Sequence, residues 1–537
     1  MEKYVEGVFL VAACSALLWV SLGDMWGHRI HHEFPYSYLA TDPFQHQTRA
    51  QWIKDAGNYR FEAPYYSSGL SDVVGFYPPV LNHLAVVLSH LSGQEVHDVI
   101  MLIPVLAAVA TVLFMFVLLK QVSRSLAMLS LPFSAYIFYI KESAVAFFWG
   151  HWPAVVGDMF LVFTCAAITQ LHRPRWWILV SLLLVGTVYA HTASFVFAMM
   201  FFGLWLAYTW VLERQKFPRI KEVVMVGAVV GLASAYFLNL FRQSWMIVHP
   251  FTLAPVTEWL AGGGFVQFSH FGYAQYLVLA GIPLAFLLAR KHAPLLLSLF
   301  ILGVGLTNYV GFTIRAFNVR FFWPIVLAPL FALPLHYLLK TVTKHVVVAA
   351  VIAIVLFAGI TNANYKRAVD QAGFMNTYVW DTLMWLRSNT PPESTVYFGY
   401  GDLYEQDAGL GNARRVFSRT QAPELIPLWQ QKNISRYIPI KLFSEAGAGL
   451  PHSVGLFSYG LYLKEQPGLT LTTTLRDVCA YDFYVFDRVS QYPELLNFSL
   501  QFAERMVRSG HFRVAHDNQW SVVLQNSRPG EECIGAA

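Results

Sequence analysis

The sequence predicts a polytopic α-helical membrane protein with a C-terminal external α/β domain. Three observations predict it: an apolar composition, a series of charge-free runs of spanning length, and a change of pattern late in the chain. Of 537 residues, 56% are hydrophobic and only 13% charged, with a mean hydropathy of +0.46. Soluble domains carry roughly 25% charged residues, so the surplus apolar surface calls for lipid to cover it.

A hydrocarbon core roughly 30 Å thick takes roughly 20 apolar residues in a helix, and about eleven runs approach that length. They lie near 5–22, 99–119, 125–140, 153–171, 177–190, 193–212, 223–241, 274–289, 294–311, 321–339 and 346–361. Run 5–22 is followed by GDMWGHR and not by a small-x-small cleavage pattern, so it reads as a first span, not a removable signal.

The basic residues between these runs alternate in side. Lys3, Lys120 with Arg124, Arg173 with Arg175, the group Arg214, Lys216, Arg219 and Lys221, Arg290 with Lys291, and Lys340 with Lys344 all fall on one face. By the positive-inside rule that face is cytoplasmic, which gives an inside N-terminus and an outside C-terminus. Segments 23–98, 141–152, 191–192, 242–273 and 312–320 are then external. A net charge of +5 spent on topology leaves no basic tail for nucleic acid, and no zinc-finger spacing is present. Cys14 and Cys165 sit in apolar runs, whereas Cys479 and Cys533 fall in the external tail, where oxidising conditions permit a disulfide.

Two domains are expected: residues 1–365 as the membrane domain, with a long first external loop at 23–98, and residues 366–537 as the external domain. The loop holds an expected helix at 43–54 and another at 80–91, too short to cross and suited to the interface. In the tail, FMNTYVWDTLMWLRS and PELLNFSLQFAERMVRSG read as helices, and STVYFGY and YDFYVFD as strands. HFRVAHDNQWSVVLQ reads as a hairpin turning at Asp517 and Asn518.

Ionisable groups inside spans mark substrate or ion paths, and here they are sparse: Asp158, Arg320 and His336 are the main ones. The external loops instead hold Asp42, His46, Arg49, Asp72, Lys141, Glu142, His151, His191 and Arg315. A site at the outer interface follows. Asp42, His46 and Arg49 are spaced i, i+4, i+7 and share one face of a helix starting at Asp42. Asp42 before Pro43 also suits a helix N-cap with proline first, and the two roles are compatible. A solvated face would explain His46 and Arg49 equally, an aromatic belt His151, snorkelling Arg315 and Arg320, and helix capping His191. Asp402, Glu405 and Asp407 read as a polar loop.

The first loop, with Asp42, His46, Arg49 and FYPP at 76–79, resembles that of the glycosyltransferase-C (GT-C) superfamily of polytopic enzymes that use polyprenyl-phosphate-linked sugars. It is most similar to the oligosaccharyltransferase catalytic subunit and related prokaryotic membrane proteins. FWGHWPAVVGD, YAHTASF, IRAFNVRFFWPIVLAPL and MWLRSNTPPESTVYF agree with it. The resemblance implies a GT-C membrane domain and transfer of a sugar from a polyprenyl-phosphate or polyprenyl-diphosphate donor to an external glycan, lipid or protein acceptor. It implies Asp42 as the catalytic carboxylate, Arg320, Arg315 and His191 on the donor phosphate, and His46, Arg49, Tyr77, His151 and Asp158 in support. A divalent cation, Mg or Mn, is implied as cofactor, with the second acidic motif reduced to Asp158 or Glu142 and the metal ligands unknown. Where the oligosaccharyltransferase subunit would carry Trp-Trp-Asp, this chain reads FGYGDLYEQDAG, which argues against recognition of an asparagine sequon.

The residue chemistry agrees without the resemblance. Transfer from a lipid phosphate needs a carboxylate for the acceptor and cations for the leaving phosphate. Alternatives are a lipid-linked sugar transporter or flippase, which would call for polar groups at mid-membrane, and a noncatalytic membrane assembly protein. The expected location is the cell membrane, with site and tail on the external side.

Overall fold

A computed structural model of the chain describes residues 2–40, 42–57, 78–248, 267–307, 314–343, 345–364, 373–391, 394–399, 413–414, 416–420, 481–489 and 493–529. It divides into two compact units. The membrane unit comprises Met1–His31, Phe76–Leu88 and Asp98–Asp370, and the second unit His32–Gly75, Ser89–His97 and Gln371–Ala537. Residues 32–75, read from the sequence as part of a membrane-domain loop, cluster with the tail. Tyr77, Asp72, Asp402, Glu405, Asp407, Cys479 and Cys533 lie outside the described residues, and so does the side chain of Arg315.

The membrane unit is helical. Among the described residues six helices are long and apolar enough to cross a membrane: Tyr4–Gly23, Val96–Lys120, Thr192–Leu212, Phe268–Ala289, Asn318–Leu338 and Val346–Ala363. Lys141–Phe148 and Trp152–Ile168 would make a seventh as a pair bent by 113°. Run 223–241 lies within the 29-residue helix Ile220–Val248, while others expected to span are shorter or broken. Trp176–Ala190 has 15 residues and so rises about 22 Å. Run 125–140 forms three pieces, Arg124–Ser130, Leu131–Ala135 and Tyr136–Tyr139. Its break lies at Pro132, which cannot donate to the preceding turn and clashes with it. The first piece packs on the Ala328–Leu338 and Val346–Asn364 helices, so its apolar side chains are consumed by protein, not lipid.

The second unit is built on a four-stranded sheet of order β1-β2-β4-β3: β1 (Val396–Gly399), β2 (Phe483–Asp487), β3 (Phe512–Asp517) and β4 (Ser521–Asn526). β1 pairs parallel with β2, and β4 pairs antiparallel with both β2 and β3. Every residue of β2 is buried, as the apolar run Phe483–Phe486 requires of a strand covered on both faces, and the buried Asp487 is paired with Arg414 at 3.1 Å. Tyr484, Phe486, Met506, Phe512 and Leu524 form its core with the Pro493–Arg508 helix. The hairpin turns one step later than expected, across Asn518–Trp520, because the Asn518 side chain accepts from the Trp520 and Ser521 N–H groups at 2.9 Å each. Asn518 also donates to Thr382 Oγ1 at 2.9 Å. The turn is thereby tied to the Thr377–Asn389 helix, which Asn376 caps.

The early segment is laced to the start of the tail. Tyr38 bridges Gly373, and Phe374 N–H donates to Tyr38 O at 3.1 Å. Gly373 has φ of +82°, and a Cβ there would lie 2.3 Å from Tyr38 O, so only glycine meets both demands. Tyr38 Oη donates to His97 O at 2.9 Å, and His97 Nε2 to His32 O at 2.8 Å. His97 also packs edge-on against Trp380.

Candidate functional site

In the second unit the expected helix exists as Asp42–Ala56. Asp42 is its first residue, so its carboxyl lies in the first turn instead of at the cap. That end of a helix presents N–H groups and favours negative charge. Asp42 is exposed. The rest of the helix is not the solvated face that would have explained His46 and Arg49: His46 is 3% and Arg49 8% exposed. Gln47, Thr48, Ala50 and Ile53 are buried as well. The middle of this short polar helix is therefore held inside protein, with Asp42 and Asp55 exposed at its two ends. At its other end Lys54 Nζ donates to Ser89 Oγ at 3.0 Å.

In the membrane unit, Arg320 lies in the 3-10 segment Ile314–Phe322 and is 1% exposed. Its Nε donates to Gly305 O at 2.8 Å, and its guanidinium sits 5.4 Å from the Trp323 ring centroid. A carbonyl and an indole face hold the cation by shape. The next residue, Phe321, stacks on His151 at 5.2 Å. His151 occupies the break between the Lys141–Phe148 and Trp152–Ile168 helices, and Trp152 Nε1 closes that break by donating to Phe147 O at 2.6 Å. Burial pushes the His151 ring down to about 4, so it is neutral near pH 7.

His191 stands in the one-residue corner between the Trp176–Ala190 and Thr192–Leu212 helices, in extended conformation. Its Nδ1 is 2.9 Å from Ser194 Oγ, and Ser194 Oγ is 3.1 Å from Asp158 Oδ1. All three are buried, at 7%, 1% and 2% exposure. Gly157 makes the corner possible, because a Cβ there would come within 2.3 Å of His191 Cβ. The segment carrying Arg320 packs on Trp152–Ile168, which carries Asp158, and on Thr192–Leu212, which carries Ser194.

The structure thus brings Arg320, His151, His191 and Asp158 into one unit, and Asp42, His46 and Arg49 into the other. Ser194 escaped the sequence reading. The available signal was weak: a serine three residues after His191, on the same helical face. Glu142 Oε2 lies 3.5 Å from His270 Nδ1, a second contact that spacing alone could not reveal. Among the described residues no three or more His, Cys, Asp or Glu side chains gather as metal ligands would. The expected divalent cation therefore has no fitted ligand set there.

No protein-family model matches the chain, and no curated protein sequence matches it. Solved structures do match in fold. An oligosaccharyltransferase from Archaeoglobus fulgidus, in complex with Zn and sulfate, aligns with a TM-score of 0.54 at 13% identity, covering 89% of this chain and 68% of that one. ArnT from Cupriavidus metallidurans, bound to undecaprenyl phosphate, aligns with a TM-score of 0.54 at 12% identity, covering 96% and 97%. The mycobacterial arabinofuranosyltransferase AftD aligns with a TM-score of 0.52 at 14% identity, covering 97% of this chain and 42% of that one. All three are GT-C glycosyltransferases. The chain has the multi-pass membrane fold that they share.

Proposed function

We propose that the chain is a membrane glycosyltransferase that moves a sugar from a polyprenyl-phosphate or polyprenyl-diphosphate donor to an acceptor on the external face. The observation that carries this reading is the nearly end-to-end fold likeness to ArnT, a protein solved with a polyprenyl phosphate. Asp42 accepts the acceptor's proton or orients its nucleophile, and Arg320 with Arg315 and His191 offsets the charge that develops on the leaving phosphate. His46, Arg49, Tyr77, His151 and Asp158 support those groups. No step is routed through a metal.

The same reading keeps eleven spans, with the N-terminus inside and the tail outside. Cysteine labelling at positions 217 and 450 then reports opposite sides, and labelling from one side only would remove the external site. Mass spectrometry of lipid-linked and cell-surface glycans, with and without the protein, tests the activity itself. Loss of a glycan with build-up of its lipid-linked precursor is expected. An unchanged glycan pool would leave the assembly-protein alternative standing.

A further inference from the structure

The chain Asp158, Ser194, His191 asks for a physical account that lipid packing does not give. Asp158 is 2% exposed within an apolar helix. Ser194 is the hydrogen-bond partner of Oδ1, and Oδ2 has none among the described residues. A full negative charge sealed there beside one hydroxyl would be costly. One titratable ring, His191, is connected to it through that hydroxyl.

Two proton arrangements fit the same heavy-atom positions. In the first, the Asp158 carboxyl donates to Ser194 Oγ, whose hydroxyl donates to an unprotonated His191 Nδ1. All three groups are then neutral. In the second, the carboxyl proton has passed to Ser194 as the serine proton passed to Nδ1. That leaves a carboxylate, a neutral hydroxyl donating to it, and an imidazolium. One O–H bond and one N–H bond form as two O–H bonds break, and no proton enters or leaves. The first arrangement suits a dry corner holding no anion, and the second suits an adjacent phosphate.

We propose that Asp158, Ser194 and His191 form a proton relay that stores one proton on the buried carboxyl and moves it to His191 when a lipid phosphate arrives. This rests on the donor reading above and assigns Asp158 and Ser194 as positioning residues acting through His191. In transfer, cleavage of the sugar–phosphate bond adds negative charge to the phosphate, and the relay supplies a cation at that moment without keeping one buried beforehand. A merely structural serine bridge would have no reason to respond to phosphate.

The test uses the full chain in lipid nanodiscs, with undecaprenyl phosphate and undecaprenol as probes of one tail and two headgroups. Difference infrared spectroscopy is expected to show loss of a protonated-carboxyl C=O band on adding the phosphate and not the alcohol. Asp158→Asn, which keeps shape and the acceptor for Ser194, is expected to lack that change. It should also lower the preference for phosphate over alcohol about tenfold, the worth of one charge-assisted hydrogen bond. Ser194→Ala should do the same by cutting the link, and it guards against misfolding of the first variant. Phosphate binding by the wild type without the band change, or an unchanged or stronger preference in Asp158→Asn, would overturn the relay alone. Equal binding of both probes by the wild type would overturn the lipid-phosphate reading and the relay with it.

Discussion

Asp42 and Asp158 are the same side chain in opposite surroundings. Asp42 is exposed in the first turn of a helix in which His46, Gln47, Thr48 and Arg49 are buried. Asp158 is sealed between two apolar helices with a hydroxyl for company. The first faces water, whereas the second reaches a titratable ring only through Ser194. Divergent environments are what separate a base from a proton store, and the proposed reading accordingly gives the two carboxyls different steps of one transfer.

The comparison breaks most sharply at Asp42. Asp42→Asn keeps size and removes charge, so melting should be unchanged while transfer by purified protein falls about 10²- to 10⁴-fold. Asp24, which follows the first apolar run directly, is the competing carboxylate, and Asp24→Asn is the control. If that variant loses transfer and Asp42→Asn does not, the base belongs at the end of the first span.

Arg320 tests the phosphate side. Truncation to alanine removes a charge-assisted contact and should weaken undecaprenyl phosphate binding about tenfold or more, with undecaprenol binding held. Equal loss of both lipids would mean that the Gly305 and Trp323 contacts make Arg320 a packing residue.

Gly157→Ala sharpens the sealed end. Its methyl would meet His191 at 2.3 Å, and forcing the corner apart should cost about 1–3 kcal/mol in denaturant unfolding. Wild-type stability would show that the corner is looser than its geometry.

The smallest effect is a pH dependence at His151. An unfolded histidine takes a proton near 6.5, while the buried ring does so only at about 4. Stability from this group is therefore complete above about 6.5 and is lost as pH falls through that window. His151→Phe preserves the stack on Phe321 and should flatten the acid side of the melting profile. An identical profile would show that the ring is hydrated.

The Asp42 helix and the β2, β3 and β4 strands were legible because their signals are local: spacing on one face, an apolar run, a turn asparagine. The number of spans was less so. A run such as 125–140 is apolar enough for lipid, yet Pro132 breaks it and neighbouring helices cover it. The hydrogen-bond chain of Asp158, Ser194 and His191 was illegible for a further reason. Asp158 and Ser194 are 36 positions apart, and only the close approach at Gly157 joins them. Burial of His46 and Arg49 was likewise set by long-range packing, not by their spacing.

The clasp between Tyr38 and Gly373 gives the protein a schedule. Residues 32–75 leave the ribosome early, but the tail segment beginning at Gln371, to which they cluster, follows after nearly all the apolar runs. At typical synthesis rates the wait is on the order of tens of seconds. During that interval Tyr38, which packs on Phe44 of the Asp42 helix, has no Gly373 to pair with. The segment leading into the helix of the carboxyl proposed to start the chemistry is thus joined to the tail only once the membrane helices have been made, so a chain interrupted during synthesis would be left without that join.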